Sequence, residues 1–246
     1  MSVSISEVVL IKKIMGCLEK AVENYKMIEE GDVIGVGLSG GKDSIVLLHS
    51  LKLYQNFSPV QYDIKAFSLT MGFDDFDLSP VSDYCHAHGI EHIIEETEIG
   101  KVVFEERNDK HPCGMCSRMK RARLNKVCAS HGVLKLALGH HGDDAIESLL
   151  MSMFFEGRIR TFKPVSFMDR SSITVIRPLI YALESDISKA FIDSNLPVVK
   201  NPCPVDKKTK REFLKNVLNN LSADIPHIKK NLLCALENKE QLEIWK

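Results

Sequence analysis

The chain has 246 residues, 44% of them hydrophobic and 26% charged, which is enough to bury a full core as one α/β domain with an appendage. No apolar run approaches the ~18 residues of a membrane span, and the mixed-charge stretch Met1 to Glu30 is patterned as an amphipathic helix rather than a signal peptide, which points to the cytoplasm. The net charge of −1 conceals two basic runs, Arg107 to Lys126 and Lys200 to Lys215, while acid concentrates at Asp74-Asp75-Phe76-Asp77 and between Glu91 and Glu106. One such run reads as a solvated face; two, each beside cysteines, point to a polyanionic partner.

After the N-terminal helix the chain alternates between two periodicities. A strand is expected over Val33–Leu38, a helix over Asp43–Gln55, a strand over Asp63–Leu69, a helix over Pro80–His88 and a strand over Glu91–Glu95. A helix follows over Cys116–His131, then a strand over Leu134–Leu138 and a helix over Asp143–Phe155. A further strand over Ile173–Ile176 leads to a helix over Glu184–Ser194, and two helices, Lys207–Leu221 and Ala223–Ile244, close the chain. Alternation of this kind predicts an open, mostly parallel sheet flanked by helices, with ligands at the carboxyl ends of the strands. The expected division is an N-terminal helix in residues 1–30, a nucleotide-binding domain in 31–200 and a C-terminal helical appendage in 201–246.

The first strand runs into Ser39-Gly40-Gly41-Lys42-Asp43-Ser44, where glycines, hydroxyls and one lysine stand between the strand and a helix. Glycines let backbone N–H groups approach phosphate oxygens, the helix start adds positive dipole character, and Lys42 adds a point charge. A Walker A loop is excluded, because Val36 stands where it needs glycine and Asp43 where it needs Ser or Thr. Gly35-Val36-Gly37-Leu38-Ser39-Gly40 matches G-x-G-x-x-G, but its first two glycines fall inside the strand and no acidic residue ends the next one. Downstream, Gly139-His140-His141-Gly142-Asp143-Asp144 follows a strand and opens a helix; its two carboxylates suit Mg²⁺ held on substrate phosphates, or else the dipole of a helix N-terminus.

Seven cysteines are present. Cys17, Cys85, Cys128 and Cys234 lie in apolar-patterned helices and read as small buried fillers. Cys113-Gly114-Met115-Cys116 is a C-x-x-C pair, with Gly114 easing a turn, and Cys203 between two prolines is the natural third ligand. A closed zinc site usually takes two such pairs, although His111 offers a possible fourth donor, and a thioredoxin-like pair would open a helix early in its domain. Three thiolates on a four-iron cluster leave one iron open to sulfide or substrate. Cys203 as an unligated loop cysteine is the plainer alternative.

The loop Ser39 to Ser44 resembles the S-G-G-x-D-S loop of the PP-loop ATP pyrophosphatases. That loop, Cys113-Gly114-Met115-Cys116-Ser117-Arg118, Ala137 to Asp144, Met153-Phe154-Phe155-Glu156-Gly157 and Ile176-Arg177-Pro178-Leu179 together resemble, collinearly, the tRNA 2-thiocytidine synthetase family. One departure is visible: the family's third cysteine lies in a C-x-x-C context, whereas Cys203 stands alone in Asn201-Pro202-Cys203-Pro204. The resemblance implies ATP and Mg²⁺ bound by Ser39, Gly40, Gly41, Lys42, Asp43, Ser44, Gly139, His140, Asp143 and Asp144, with Lys42, Asp43 and Asp143 acting in catalysis. It implies a 4Fe-4S cluster on Cys113, Cys116 and Cys203. It also implies tRNA as substrate, a cysteine desulfurase or free sulfide as sulfur donor, and a homodimer. Competing classes are a PP-loop ligase acting on a small molecule and a non-catalytic, redox-sensing nucleotide or RNA-binding module.

Overall fold

The computed structural model describes residues 5–73, 76–106, 112–200, 203 and 210–238. Asp74, Asp75, Arg107, Lys110, His111, Lys207, Lys208 and the end of the last expected helix lie outside the described residues. Helix α1 (Ile5–Tyr25) precedes β1 (Asp32–Leu38), α2 (Lys42–Tyr54), β2 (Tyr62–Leu69), α3 (Ser79–Ala87) and β3 (Glu91–Glu95). A single helical turn, α4 (Ile99–Lys101), widens into a π-helical stretch over Val102–Glu106 and leads to α5 (Pro112–Ser130). Then come β4 (Lys135–Ala137), α6 (Gly142–Glu156), β5 (Val165–Met168), β6 (Ile173–Ile176), α7 (Glu184–Asp193), α8 (Lys210–Asp224) and α9 (Ile228–Glu237).

The strands form one six-stranded sheet in the order β3-β2-β1-β4-β6-β5. All neighbours are parallel except β5, which runs antiparallel to β6 at the edge. From β1 the chain builds outward through β2 to β3, then β4 returns to the other side of β1. The order therefore reverses between β1 and β4, the place in such sheets where a crevice lies at the carboxyl ends of the strands.

One face of the sheet is covered by α2, with α1 and α7 packed against it; Ile14, Leu18 and Ala21 of α1 are fully buried there, at helical spacing, with Ile45 and Leu48 of α2. The opposite face holds a smaller core in which Val127 and Cys128 of α5 meet Phe67, Leu136 and Val175. Here the two strand glycines find their purpose. A Cβ on Gly35 would lie 2.9 Å from Val133 Cγ1 and 3.1 Å from Phe67, and one on Gly37 would lie 2.9 Å from Leu138 Cδ2. They are packing glycines that let side chains close on β1, and the dinucleotide fingerprint is a coincidence of that packing.

Three expectations are corrected. The helix expected from Cys116 starts at Pro112, so Cys113 and Cys116 sit in its first turn rather than in a turn before it. Proline is well placed there because its missing N–H would have no helical partner. The break between the last two helices lies at Ile225-Pro226-His227, after α8 has run on to Asp224, because proline disfavours helical geometry in the residue before it. Cys234 is exposed rather than buried, whereas Cys85 and Cys128 are buried and Cys17 is half-buried. The edge strand β5 was not expected; it is short and ends in the turn Asp169 to Ser172, where Ser172 takes φ +53°.

Gly35→Val is expected to destabilise the fold by about 1–3 kcal/mol despite valine's strand propensity, because Val133 and Phe67 are almost fully buried and have little room to move. A lower urea midpoint at unchanged m-value is the measurement.

Candidate nucleotide and thiol site

Ser39, Gly40 and Gly41 bridge β1 and α2 at the switch point. Gly40 takes φ +79°, and a Cβ there would lie 2.9 Å from Val199 Cβ, so both conformation and space favour glycine. Its carbonyl accepts a 2.8 Å hydrogen bond from Val199 N. Ser44 braces the loop, donating from Oγ to Gly41 O (2.9 Å) and accepting at Oγ from Ser39 N (3.2 Å). Gly41 caps α2 without a side-chain hydrogen bond, so the N-terminal amides of a 13-residue helix retain donor capacity for an anion.

The loop after β4 comes against the loop after β1. A Cβ on Gly139 would lie 2.9 Å from Asp43 O and 3.1 Å from Ser44 N, so only glycine permits this backbone contact. His141 follows, 5% exposed, with Nε2 at 4.0 Å from Asp43 Oδ1 and 3.5 Å from Asp144 Oδ2. Burial, more than the neighbouring charges, pushes His140 down to about 4, which keeps its ring neutral. The Nδ1 atom of His140 is buried and lacks a hydrogen-bond partner within the described residues. His140 packs on Phe162 with ring centroids 5.2 Å apart, and the Arg177 guanidinium lies 4.8 Å from the same ring.

Charges converge on this crevice from five helices. Lys42 Nζ lies 2.7 Å from Asp43 Oδ1 and 3.3 Å from Glu184 Oε1. Burial alone lowers the Lys42 pKa, but these two carboxylates outweigh it and hold the amine above the ordinary lysine range. Glu184, at the start of α7, also takes Lys215 of α8 at 2.7 Å. Burial works to raise its carboxyl, and the two lysines overcome that and hold it below the usual range. Asp143 is 3% exposed with both oxygens engaged: Oδ2 accepts from Glu184 N at 2.7 Å and Oδ1 pairs with Lys229 of α9 at 2.7 Å. Asp144 accepts from His141 N at 3.0 Å and pairs with Arg211 of α8 at 3.2 Å. Asp144 thus does serve the helix N-terminus, and the partly exposed Asp43 is the carboxylate nearest the phosphate cradle.

Sequence reasoning did not single out Glu184, Lys229 or Glu147, which stand in no recognisable motif, and it quoted His141 within the Gly139 to Asp144 motif without giving it a role. It read Arg211 and Lys215 as part of an outward basic run, whereas both turn inward to the acid cluster. Arg123 is likewise paired, with Glu95.

The thiols form the second half of the site. Cys113 and Cys116, three residues apart in the first turn of α5, project from one helix face. Cys113 is exposed, Cys116 buried and Cys203 half-buried, and none of the seven cysteines, all within the described residues, is in a disulfide. Burial pushes the Cys116 thiol up; Lys120 opposes this, and the charges of Cys203 and Cys113 add to it, so the three thiols share one neighbourhood. Ile99, Val103, Met71, Met115 and Met119 line it with apolar and thioether groups. Among the described residues no three His, Cys, Asp or Glu side chains converge on a single ion. A four-iron cluster does not ask for such convergence, because each thiolate binds a different iron. The donor set, three thiols in an apolar wall beside one lysine, fits that group.

An open parallel sheet with a phosphate cradle at its switch point defines a PP-loop nucleotide-binding protein, and the PP-loop domain family model matches residues 12–221. Two relatives, both tRNA-cytidine(32) 2-sulfurtransferases, are similar over nearly the whole chain. The Geobacter metallireducens protein is 38% identical, covering 92% of this chain and 90% of its own, and the Pelobacter propionicus protein is 39% identical, covering 94% and 87%. The chain belongs to the tRNA-cytidine(32) 2-sulfurtransferase family of PP-loop proteins. A solved structure, the U34-tRNA thiolase NcsA of Methanococcus maripaludis with its [4Fe-4S] cluster, shares the fold at a TM-score of 0.78 and 23% identity, covering 96% of this chain and 81% of that one.

Two outcomes are expected from this geometry. Gly139→Ala should push the two loops apart and weaken ATP binding about tenfold or more, read by calorimetric titration, while the thermal transition persists. Glu147, 8% exposed, is pushed up to about 7 by burial and then by Asp144, against Arg211, Lys215 and His141. A carboxyl raised in the folded state binds its proton more tightly there than when unfolded. Its penalty therefore grows as pH rises from about 4.5 through about 7 and is complete above that. Glu147→Gln removes it, so the variant's stability relative to wild type is expected to rise by up to about 3 kcal/mol between about pH 5 and pH 8, measured by denaturation at both.

Proposed function

We propose that this protein catalyses ATP-dependent thiolation of tRNA, replacing the C2 oxygen of a cytidine by sulfur. The observation that carries the reading is the pairing of two sites at one end of the sheet: a phosphate cradle after β1 and a three-thiol neighbourhood at the start of α5. A bare nucleotide-binding module has no need of the second.

The chemistry rests on what each residue can supply. The α-, β- and γ-phosphates lie over the Ser39 to Gly41 amides and the start of α2, with Lys42 beside them, and Asp43 and Asp144 offer oxygens for Mg²⁺ on the phosphates. Asp143 acts at one remove, fixing Glu184 and Lys229 around Lys42. The cytidine C2 oxygen attacks the α-phosphorus and pyrophosphate leaves; the fixed amides and Lys42 stabilise the charge that develops on it. A sulfur nucleophile at the sulfide level then attacks C2, and AMP departs carrying the original oxygen. Adenylation converts a poor leaving group into a good one, which is why the reaction consumes ATP. Cys113, Cys116 and Cys203 would hold a 4Fe-4S cluster, which would supply one iron without a protein ligand as a place to hold sulfide. The target base must leave its stack to reach C2 from both sites. The reading includes a cytoplasmic location, a homodimer, and a cysteine desulfurase or free sulfide as sulfur donor. Among the described residues no helix is long and apolar enough to cross a membrane.

The test is mass spectrometry of tRNA nucleosides from cells with and without the gene, complemented by wild type, Lys42→Ala or Cys203→Ala. We expect a thiocytidine that disappears with the gene and returns only with wild type, and purified enzyme that forms AMP and pyrophosphate in step with thiolation. Formation of ADP and phosphate, or an unchanged nucleoside profile, overturns the assignment.

A further inference from the structure

Helix α5 presents an anomalous face. Arg118, Arg121, Ala122, Asn125, Lys126 and Ala129 recur at the spacing that forms one helical stripe, and this stripe faces the β5–β6 hairpin. A packing helix would place large apolar residues there. Arginines, a lysine and two alanines instead leave a groove of about 820 Å³, walled on its far side by Phe167, Arg170 and Ser171.

The groove is equipped for a polar ligand. Arg118, Arg121, Lys126 and Arg170 are exposed, and among the described residues none of them forms an ion pair, against the single acid Asp169. Their neighbour Arg123, one step round the helix, is paired with Glu95, so the groove cations are those left available. Asn125, at the groove floor, is 5% exposed; its Nδ2 donates to Ser171 Oγ at 3.1 Å while its Oδ1 is buried and has no partner. A buried carbonyl oxygen left unpaired is costly, and it calls for a donor from whatever enters. Phe167, 61% exposed on the edge strand, offers a flat ring at the lip.

The groove is also continuous with the site. It begins at Arg118, two residues beyond Cys116. At the same end Arg121 is near enough to the buried Arg177 for its charge to be felt there, and Arg177 stacks on Phe162, which packs on His140. From Arg118 to Ala129 the stripe runs roughly 16 Å at helical rise, long enough for several nucleotides.

We propose that this groove seats a single-stranded stretch of the tRNA substrate beside the target cytidine. The phosphates lie along Arg118, Arg121, Lys126 and Arg170, a base lies on Phe167, and a hydroxyl or amino group of the strand donates to Asn125 Oδ1. Cations tracking a backbone, an aromatic platform and one buried acceptor are the groups by which an unpaired strand is held. This rests on the tRNA-thiolation reading and assigns the strand a place within it.

The test is the affinity of full-length protein for unmodified tRNA across a KCl series, with thermal melting of each variant as the folding check. If the groove holds the strand, Arg118→Gln/Arg121→Gln/Lys126→Gln lowers the slope of log affinity against log salt by about 2, at roughly 0.7 per lost contact. Phe167→Ala, at an exposed position, weakens binding about tenfold or more. Lys12→Gln/Lys189→Gln, on exposed positions of α1 and α7, leaves slope and affinity as in wild type. Wild-type-like affinity and slope in the groove variants overturn the proposal while the thiolation reading stands. Full tRNA binding with lost stimulation by a cysteine desulfurase makes the groove a protein dock and overturns it equally. Wild type that binds no tRNA at low salt removes both the proposal and the reading.

Discussion

The contact on which the rest of this molecule depends is the approach of two backbones. Gly139 stands against the carbonyl of Asp43 and the amide of Ser44 with no space for a β-carbon between them. That closeness joins the loop after β1 to the loop after β4 at the point where the strand order reverses. It brings the phosphate cradle, the buried histidines and the acid cluster of α6 into one crevice. Sheet geometry alone sets two strand ends side by side; the missing side chain lets the loops beyond those ends touch.

Around that contact the protein assembles more charge than a crevice of this size could hold unpaired. Asp43, Asp143, Asp144 and Glu184 are matched by Lys42, Arg211, Lys215 and Lys229, drawn from α2, α8 and α9. Paired charges with one member buried are expensive to break, so the C-terminal helices are held to the sheet domain by the same groups that line the crevice. Occupancy of the crevice and the seating of α8 and α9 are consequently two aspects of one electrostatic arrangement.

Much of this was legible in the residues, for identifiable reasons. The alternation of periods located most of the strands and helices to within a few residues, because buried parallel strands and their crossover helices have strongly contrasting patterns. Ser39 to Ser44 was readable because glycine and hydroxyl chemistry is local. Glu184 and Lys229 were not, since they matter only through contacts with residues more than thirty positions away along the chain, and nothing in their neighbours marks them. Edge strand β5 was missed because four residues with a serine among them carry little periodic signal. The two basic runs misled in the opposite sense: charge density says nothing about direction, and the helix phase turns Arg211 and Lys215 inward while leaving Arg118 and Arg121 outside.

The hydrogen bond from Val199 to Gly40 fixes more than a loop. Cys203 lies four residues beyond Val199, and a chain of that length spans no more than about 14 Å even when fully extended. The third thiol is thereby leashed to the loop between β1 and α2. On the proposed function, activation at the loop and sulfur delivery at the thiol fall within one short stretch of chain, so the two steps need no large movement of the protein to bring them together.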